Sequence, residues 1–550
     1  MAAGVAAFGV GLVCGATHES RAEKAVRAFA KAWGKGDTAA MYRSLSPDAR
    51  RRFSATAFRN AYRQNAMTAT ARAWTIGRAK GRGDVFALPV RVATRIFGAV
   101  DGTVALKASD AGVDWRPYMS FPGLRAGERL DRTTRMPSRA DLLARDGTPF
   151  SKLPDIAPDV LGAVGPMPAE DVARLTALGY PAGAQVGTTG LERFLQERIG
   201  GTPGGDLRAG ARVLAHTEPK AARPVRTTIS PAIERAAITA LAGRLGGVVA
   251  VRPRTGEVLA FAGIAFSGLQ PPGSTMKILT LTGALEAKVA TPKSTYPYAT
   301  STTLSGVKLE NANGESCGGS LALAFAVSCN SVFAPLGATL GATRLVSIAE
   351  RFGFNHPPGI PGAATSTIPP ASEIGDDLAV GSSAIGQGRV QATTLQMVRV
   401  ASAIALEGRE PRLTLALPEG SKPAPTTRVV APKIAHTVRR LMVGVVRGGT
   451  GVHAQIPGVA VAGKTGTAEL ESTKKCPPQP DTTTPLGQAP VPESCQDSAS
   501  RTDDTDAWFT AFAPARRPRI AVCMMLVRNG AGGDTAAPAA RGVLIAGLKR

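Results

Sequence analysis

The chain has 550 residues, with 65 Lys/Arg against 41 Asp/Glu and a net charge of +24. Its 44% apolar and 19% charged residues supply material for packed cores and exclude a wholly disordered chain, and the length suits about three or four domains. Six cysteines are too few for a disulfide-built scaffold.

Residues 1–100 hold 17 Lys/Arg and 5 Asp/Glu, a net +12, so half of the excess charge lies in the first fifth of the chain. A surface this basic suits nucleic acid, an anionic membrane or an anionic wall polymer, or is a plain solvated face. Aromatics are 5% of the residues and do not alternate with the basic ones, so there is no stacking platform and nucleic acid is not expected.

Residues 2–17 are uncharged and apolar. The run is shorter than the roughly 20 residues of a spanning helix and lacks a basic leading region. Residues 1–19 are read as a membrane anchor or signal segment; a lipid-modified Cys14 fits poorly after Val13, and a buried helix is the plain alternative. Helices are expected at 21–34, after Asp37 and at 54–65, and strands at 68–78, 84–94, 98–107 and 113–120. That order suits an α+β domain with helices packed on one curved sheet. Residues 125–225 are rich in Gly, Pro, Arg and Asp, with short helices at 169–178 and 189–197, and read as a connecting region without a dense core. A helix is expected at 230–244, then a hairpin of strands 246–250 and 258–263 turning at Pro253-Arg254-Thr255-Gly256. Helices are expected from Ser274 to about residue 353, at 391–407 and at 431–446. Strands at 459–470, 507–513 and 520–527 and a helix at 536–548 close the chain, with 471–506 a polar loop.

Three motifs carry chemistry. In Ser274-Thr275-Met276-Lys277, after Pro271-Pro272-Gly273, the Ser and Lys fall three apart at a helix start and share a face. Serine needs a base to become a nucleophile, and lysine is one only when burial or a nearby cation depresses its pKa. Ser328-Cys329-Asn330, at a junction of helices, offers a hydroxyl that passes a proton and an amide that holds a carbonyl or the lysine. In Lys464-Thr465-Gly466-Thr467 on a strand, the two threonines share a side, and Gly466 leaves room for a substrate backbone. Lys464 supplies a cation that attracts a carboxylate and depresses a neighbouring lysine. Each motif alone is ordinary surface chemistry. The ordered set, with about 50 residues to the second motif and about 135 to the third, is specific.

Together the motifs resemble those of penicillin-binding proteins and serine β-lactamases. Gly246–Val251 and Thr255–Ala260 resemble the first hairpin of the transpeptidase sheet. The stretches Gly386-Gln387-Gly388, Thr393–Met397, Ala462–Glu469 and Ala507-Trp508-Phe509 resemble its later elements. Val186–Glu192 resembles the pedestal of monofunctional class B penicillin-binding proteins. Residues 20–125, closing in Trp115 and Phe121-Pro122-Gly123-Leu124, resemble the nuclear transport factor 2-like domain of the methicillin-resistance-like type. The pedestal departs from the family pattern at Ser138-Arg139-Ala140 and Ala144-Arg145-Asp146-Gly147.

The resemblance implies a multidomain α+β protein: an anchor or signal at 1–19, a cone-shaped nuclear transport factor 2-like domain at 20–130, an extended pedestal or dimerisation region at 131–225, and a β-lactamase-like serine transpeptidase domain at 226–550 with a central antiparallel sheet flanked by helices. It implies D,D-transpeptidation of peptidoglycan stem peptides, with covalent binding of β-lactam antibiotics at the same serine. Ser274 would be the nucleophile and Lys277 the base, with Ser328 and Lys464 completing the relay. Asn330 would hold the peptide backbone; Lys464, Thr465 and Thr467 would bind the terminal carboxylate, with Gly466 a further substrate-binding position; and the backbone N–H groups of Ser274 and Thr467 would form the oxyanion hole. No metal or organic cofactor is implied. Anionic membrane or wall polymers and a glycosyltransferase of the wall machinery are the further expected partners, with the catalytic domain outside the cytoplasm.

A D,D-carboxypeptidase, a β-lactam sensor and an idle scaffold share these residues and stay open. A class A β-lactamase is disfavoured by the lack of a Glu-x-x-Leu-Asn segment, and a bifunctional protein by the lack of a glycosyltransferase motif in 20–225. Two disulfides are candidates on an oxidising cell surface, Cys476 with Cys495 and Cys317 with Cys329; free thiols are the alternative. Cys523, in an apolar strand, reads as core.

Overall fold

A computed structural model describes residues 19–417, 425–469 and 505–549. The anchor or signal segment, Cys14, most of the polar loop and the Cys476–Cys495 pair lie outside the described residues, Glu19 excepted. The described residues form two compact units, one from 19–139, 166–185 and 200–222, the other from 140–165, 186–199, 223–417, 425–469 and 505–549.

In the first unit, Ser20 caps the helix Arg21–Gly34, reciprocally with Glu23. Helices Thr38–Arg43, Pro47–Arg52 and Ala55–Thr68 follow, one more than expected, because Ser46 and Pro47 start a short extra turn. The strands Ala71–Ile76, Val85–Thr94, Ala99–Ser109 and Gly112–Val113 pair in that order, with Lys80–Arg82 beside Val85–Thr94. Strict alternation buries every second residue of Val85–Thr94. Phe29, Trp33, Phe58 and Trp115 centre the core. The strand expected at 113–120 does not form: Pro117 opens a 3-10 turn, Pro117–Ser120, and only Gly112–Val113 pairs.

In the second unit a five-stranded antiparallel sheet runs Glu257–Gly263, Gly246–Arg252, Ile520–Leu526, Thr505–Ala513, Ala462–Glu469. Its apolar strands are covered on both faces. Val248 and Ala250 pack with the helices Pro231–Leu241 and Ala536–Leu548. Val249 and Val251 face the other way, toward Lys277–Glu286, Thr394–Ala405 and Pro432–Gly448. That double burial is why these strands read as continuous apolar runs rather than alternating ones.

Two expectations change here. The 125–225 stretch is not coreless: Phe150, Ile156, Val160, Leu191 and Ile199 belong to the large core of the second unit. Isolated apolar residues between turns carry no period, so their burial was invisible locally. Between the first two motifs the chain also makes small strands, Thr295–Ala299 with Cys317–Ser320 and Ser301–Leu304 with Val307–Glu310, where helices were expected. The departure at Ala144–Gly147 forms a turn: Ala144 N–H donates to the Thr148 carbonyl, and Arg145 pairs with Glu257 at 2.7 Å.

Candidate active site

Ser274 sits half-buried in a 3-10 turn, Gly273–Met276, that runs into the helix Lys277–Glu286. The α-helix therefore starts at Lys277, three residues later than expected. The turn is fixed by backbone packing. Gly273 has φ +51°, and a Cβ there would lie 2.6 Å from the Thr467 carbonyl oxygen. The Gly273 N–H donates to the Gly386 carbonyl at 3.0 Å. The nucleophile turn thus rests on the third-motif strand on one side and the Gly386 turn on the other.

Lys277 is wholly buried. Its Nζ donates to the Ser328 carbonyl at 2.6 Å and to Asn330 Oδ1 at 2.7 Å, and lies 3.4 Å from Ser328 Oγ. Lys464, also wholly buried, donates to Ser328 Oγ at 2.8 Å and to the Thr465 carbonyl at 3.0 Å. The two ammonium groups thus flank one hydroxyl. Each also faces a buried ring, Lys277 at 5.7 Å from Phe333 and Lys464 at 5.6 Å from Phe325. Burial, and then the charge of Lys464, hold the Lys277 ammonium well below the usual lysine range. Burial alone lowers Lys464 to about 7. Two buried cations sharing an oxygen disfavour double protonation, which leaves one lysine available as a base.

The second motif is shaped by strain. Ser328 has φ +61°, a left-handed conformation uncommon for a side chain with a Cβ. It follows the helix Leu321–Ala326 and precedes Asn330–Leu340. Cys329 is joined to Cys317 by a disulfide. Asn330 has both ends engaged, its oxygen on Lys277 and its Nδ2 on the Glu310 carbonyl at 3.0 Å. Underneath, buried Asn311 accepts the Ser331 N–H at 2.8 Å and donates to the Ala299 and Glu315 carbonyls at 2.7 and 2.9 Å.

On the third-motif strand, Thr465 lies 2.5 Å, Oγ1 to Oγ1, from Thr450, in the turn after the helix Pro432–Gly448. Thr467 Oγ1 accepts the Gly532 N–H at 3.4 Å. A side chain at Gly466 would meet the Pro272 carbonyl at 2.8 Å, Trp508 Cβ at 3.0 Å and Thr275 Cγ2 at 3.1 Å. The glycine is therefore what lets the nucleophile turn and Trp508 pack this closely against the strand.

The sequence named Ser274, Lys277, Ser328, Asn330 and Lys464, and the fold brings Lys277, Ser328, Asn330 and Lys464 into one hydrogen-bonded cluster. It missed Asn311 and Thr450, whose only local sign is an uncharged polar residue next to turn glycines or alanines. The arrangement can take a proton from a hydroxyl and hold an anion nearby, which is the chemistry of serine acyl transfer.

A family model for the penicillin-binding protein transpeptidase domain matches residues 246–544, and one for the penicillin-binding protein dimerisation domain matches residues 121–210. The chain belongs to the penicillin-binding protein transpeptidase family. Peptidoglycan D,D-transpeptidase PbpA of Mycolicibacterium smegmatis is 32% identical over 439 residues, 68% of this chain and 81% of that protein. Peptidoglycan D,D-transpeptidase MrdA of Haemophilus influenzae is 27% identical over 459 residues, 70% of this chain and 67% of its own. Among solved structures, penicillin-binding protein A of M. tuberculosis as a ceftriaxone acyl-enzyme is 25% identical, covering 76% of this chain and 99% of that one, with a TM-score of 0.55.

Proposed function

We propose that this chain is a serine peptidoglycan D,D-transpeptidase of the monofunctional, class B kind. The observation that carries the reading is the Ser328 hydroxyl held between two buried lysines beside the Ser274 turn. Ser274 attacks the carbonyl between the terminal D-Ala residues of a stem peptide, and Lys277 takes its proton, with Ser328 and Lys464 as relay. The N–H groups of Ser274 and Thr467 stabilise the oxyanion, and Lys464, Thr465 and Thr467 hold the terminal carboxylate. D-Ala leaves, the amine of a second stem peptide attacks the ester, and the serine regains its proton. A β-lactam acylates the same serine. Asn330, with its oxygen on Lys277, retains an N–H for the peptide backbone.

The transpeptidase and dimerisation matches and the PbpA and MrdA similarity support the reading. Labelling with a fluorescent penicillin tests it: wild type labels and Ser274→Ala does not. A donor stem peptide with an acceptor amine then gives cross-linked product. Hydrolysis alone would make the enzyme a carboxypeptidase, and label retained by the alanine variant would refute the nucleophile.

The N-terminal unit supports a finer reading. Helices followed by an antiparallel sheet suit a nuclear transport factor 2-like domain at 20–130 of the methicillin-resistance-like type, ahead of a pedestal at 131–225 and a catalytic domain at 226–550. The apolar residues 2–17 support attachment at the cell membrane, with catalysis on its outer face. The +12 of residues 1–100 supports contact with anionic lipid or wall polymer. Salt-sensitive binding of the full chain to anionic vesicles is expected; no binding at low salt would leave the charge as solubility alone. A wall glycosyltransferase is the natural protein partner, since cross-linking acts on the strands such an enzyme makes, and co-purification under crosslinking tests it.

A further inference from the structure

Thr450 touches both sides of the site, although none of the three motifs includes it. It stands in the turn Gly448-Gly449-Thr450-Gly451 that ends the helix Pro432–Gly448. Its N–H donates to the Ala326 carbonyl at 3.0 Å, at the end of the helix that leads into Ser328. Its Oγ1 lies 2.5 Å from Thr465 Oγ1 and 3.4 Å from the same Ala326 carbonyl. Gly449 lets the turn come this close, for a Cβ there would sit 2.2 Å from the Ala326 oxygen. The residue therefore ties the third-motif strand to the segment carrying the second motif.

A threonine hydroxyl has one proton and two acceptor lone pairs. Two arrangements of the Thr450–Thr465 pair follow. In one, Thr465 donates to Thr450 and Thr450 donates to the Ala326 carbonyl. In the other, Thr450 donates to Thr465, and the Thr465 proton is free to point away from Thr450. An incoming carboxylate only accepts, so it selects the second arrangement. No proton is gained or lost by the pair; both hydroxyls rotate.

We propose that Thr450 is a positioning residue that turns the Thr465 hydroxyl outward as a donor to the substrate carboxylate while holding the strand in register with the second motif. This rests on the transpeptidase reading given above. Without the Thr450 hydroxyl, Thr465 loses the partner that orients it, and discrimination in favour of carboxylate-bearing ligands falls.

The test compares acylation of full-length wild type, Thr450→Val and Thr450→Ser by benzylpenicillin and by its carboxylate methyl ester. Thr450→Val is expected to lower the second-order acylation constant for benzylpenicillin about tenfold, chiefly through weaker prior binding, and that for the ester less than twofold. Thr450→Ser, which keeps the hydroxyl, restores the wild-type ratio. Equal losses with acid and ester, an unchanged valine variant, or a serine variant as impaired as valine would overturn the proposal. A thermal melt checks folding, and Thr450→Ala serves in the same comparison should the valine variant not fold. Failure of wild type to label with penicillin at all would instead sink the transpeptidase reading.

Discussion

Replacing Lys464 by Met separates two roles of that residue, because one of them moves a pH midpoint and the other only a rate. Both lysine nitrogens reach Ser328 Oγ, so they stand within roughly 6 Å of each other, and at an effective dielectric near 20 two ammonium groups at that separation repel by about 3 kcal/mol. In wild type, Lys277 becomes a base as pH rises through its lowered pKa, and the cation at Lys464 is lost through about 7. Acylation should therefore rise with pH as Lys277 loses its proton, and fall through about 7 as the carboxylate loses its cation. In Lys464→Met the repulsion is gone, and Lys277 keeps its proton to higher pH. Its acid limb should move to higher pH, yet stay below the ordinary lysine range, since burial is the larger cause of the shift. The fall through about 7 should disappear. The assay is the second-order acylation constant for a chromogenic β-lactam between pH 5 and 10. The maximal rate will drop as well, but the midpoint is independent of that amplitude. A midpoint that stays fixed or moves down would refute the coupling between the two lysines.

The same lysine gives a stability prediction of definite sign. Its pKa is lower folded than unfolded, so between about 7 and 10 the unfolded chain binds more protons and wild-type stability should rise with pH more steeply than that of Lys464→Met, on the order of 1 kcal/mol per pH unit; denaturant melts at pH 7 and pH 9.5 check it, and equal differences at both would count against it. Gly466→Ala pushes a methyl into the Pro272 carbonyl and Trp508. It should cost about 1–3 kcal/mol and, by displacing the Ser274 turn, lower acylation on the order of a hundredfold. Cys329→Ser opens a loop of sequence separation 12 and should lower stability by about 2–4 kcal/mol, read by thermal melting against reduced wild type, which should match it. Arg399→Ala strands Glu410 in a nearly buried ion pair (side-chain exposures 12% and 11%) and should cost about 3–5 kcal/mol with little change in the acylation constant of the remaining folded enzyme.

The catalytic residue types were legible in the sequence because the chemistry restricts them: a nucleophile three residues from an amine, a hydroxyl-amide pair, and a lysine on a strand. Helical spacing put Ser274 and Lys277 on one face, and apolar runs marked the sheet strands. Distances across the chain were not legible. Ser328 and Lys464 meet through a register and a left-handed backbone that no local pattern encodes. Thr450 and Asn311 are defined by partners far from them in sequence.

The sequence by itself determined the set of reacting groups and the apolar runs of the central strands, since residue type acts locally. Tertiary structure decided what those groups are able to do. Only packing removes water from Lys277 and Lys464, and only that desolvation, with the two charges set about one hydroxyl, turns ordinary lysines into a base and an anion-holding cation. It also showed that Gly466 must lack a side chain for the nucleophile turn to pack against its strand, because that depends on what folds against it.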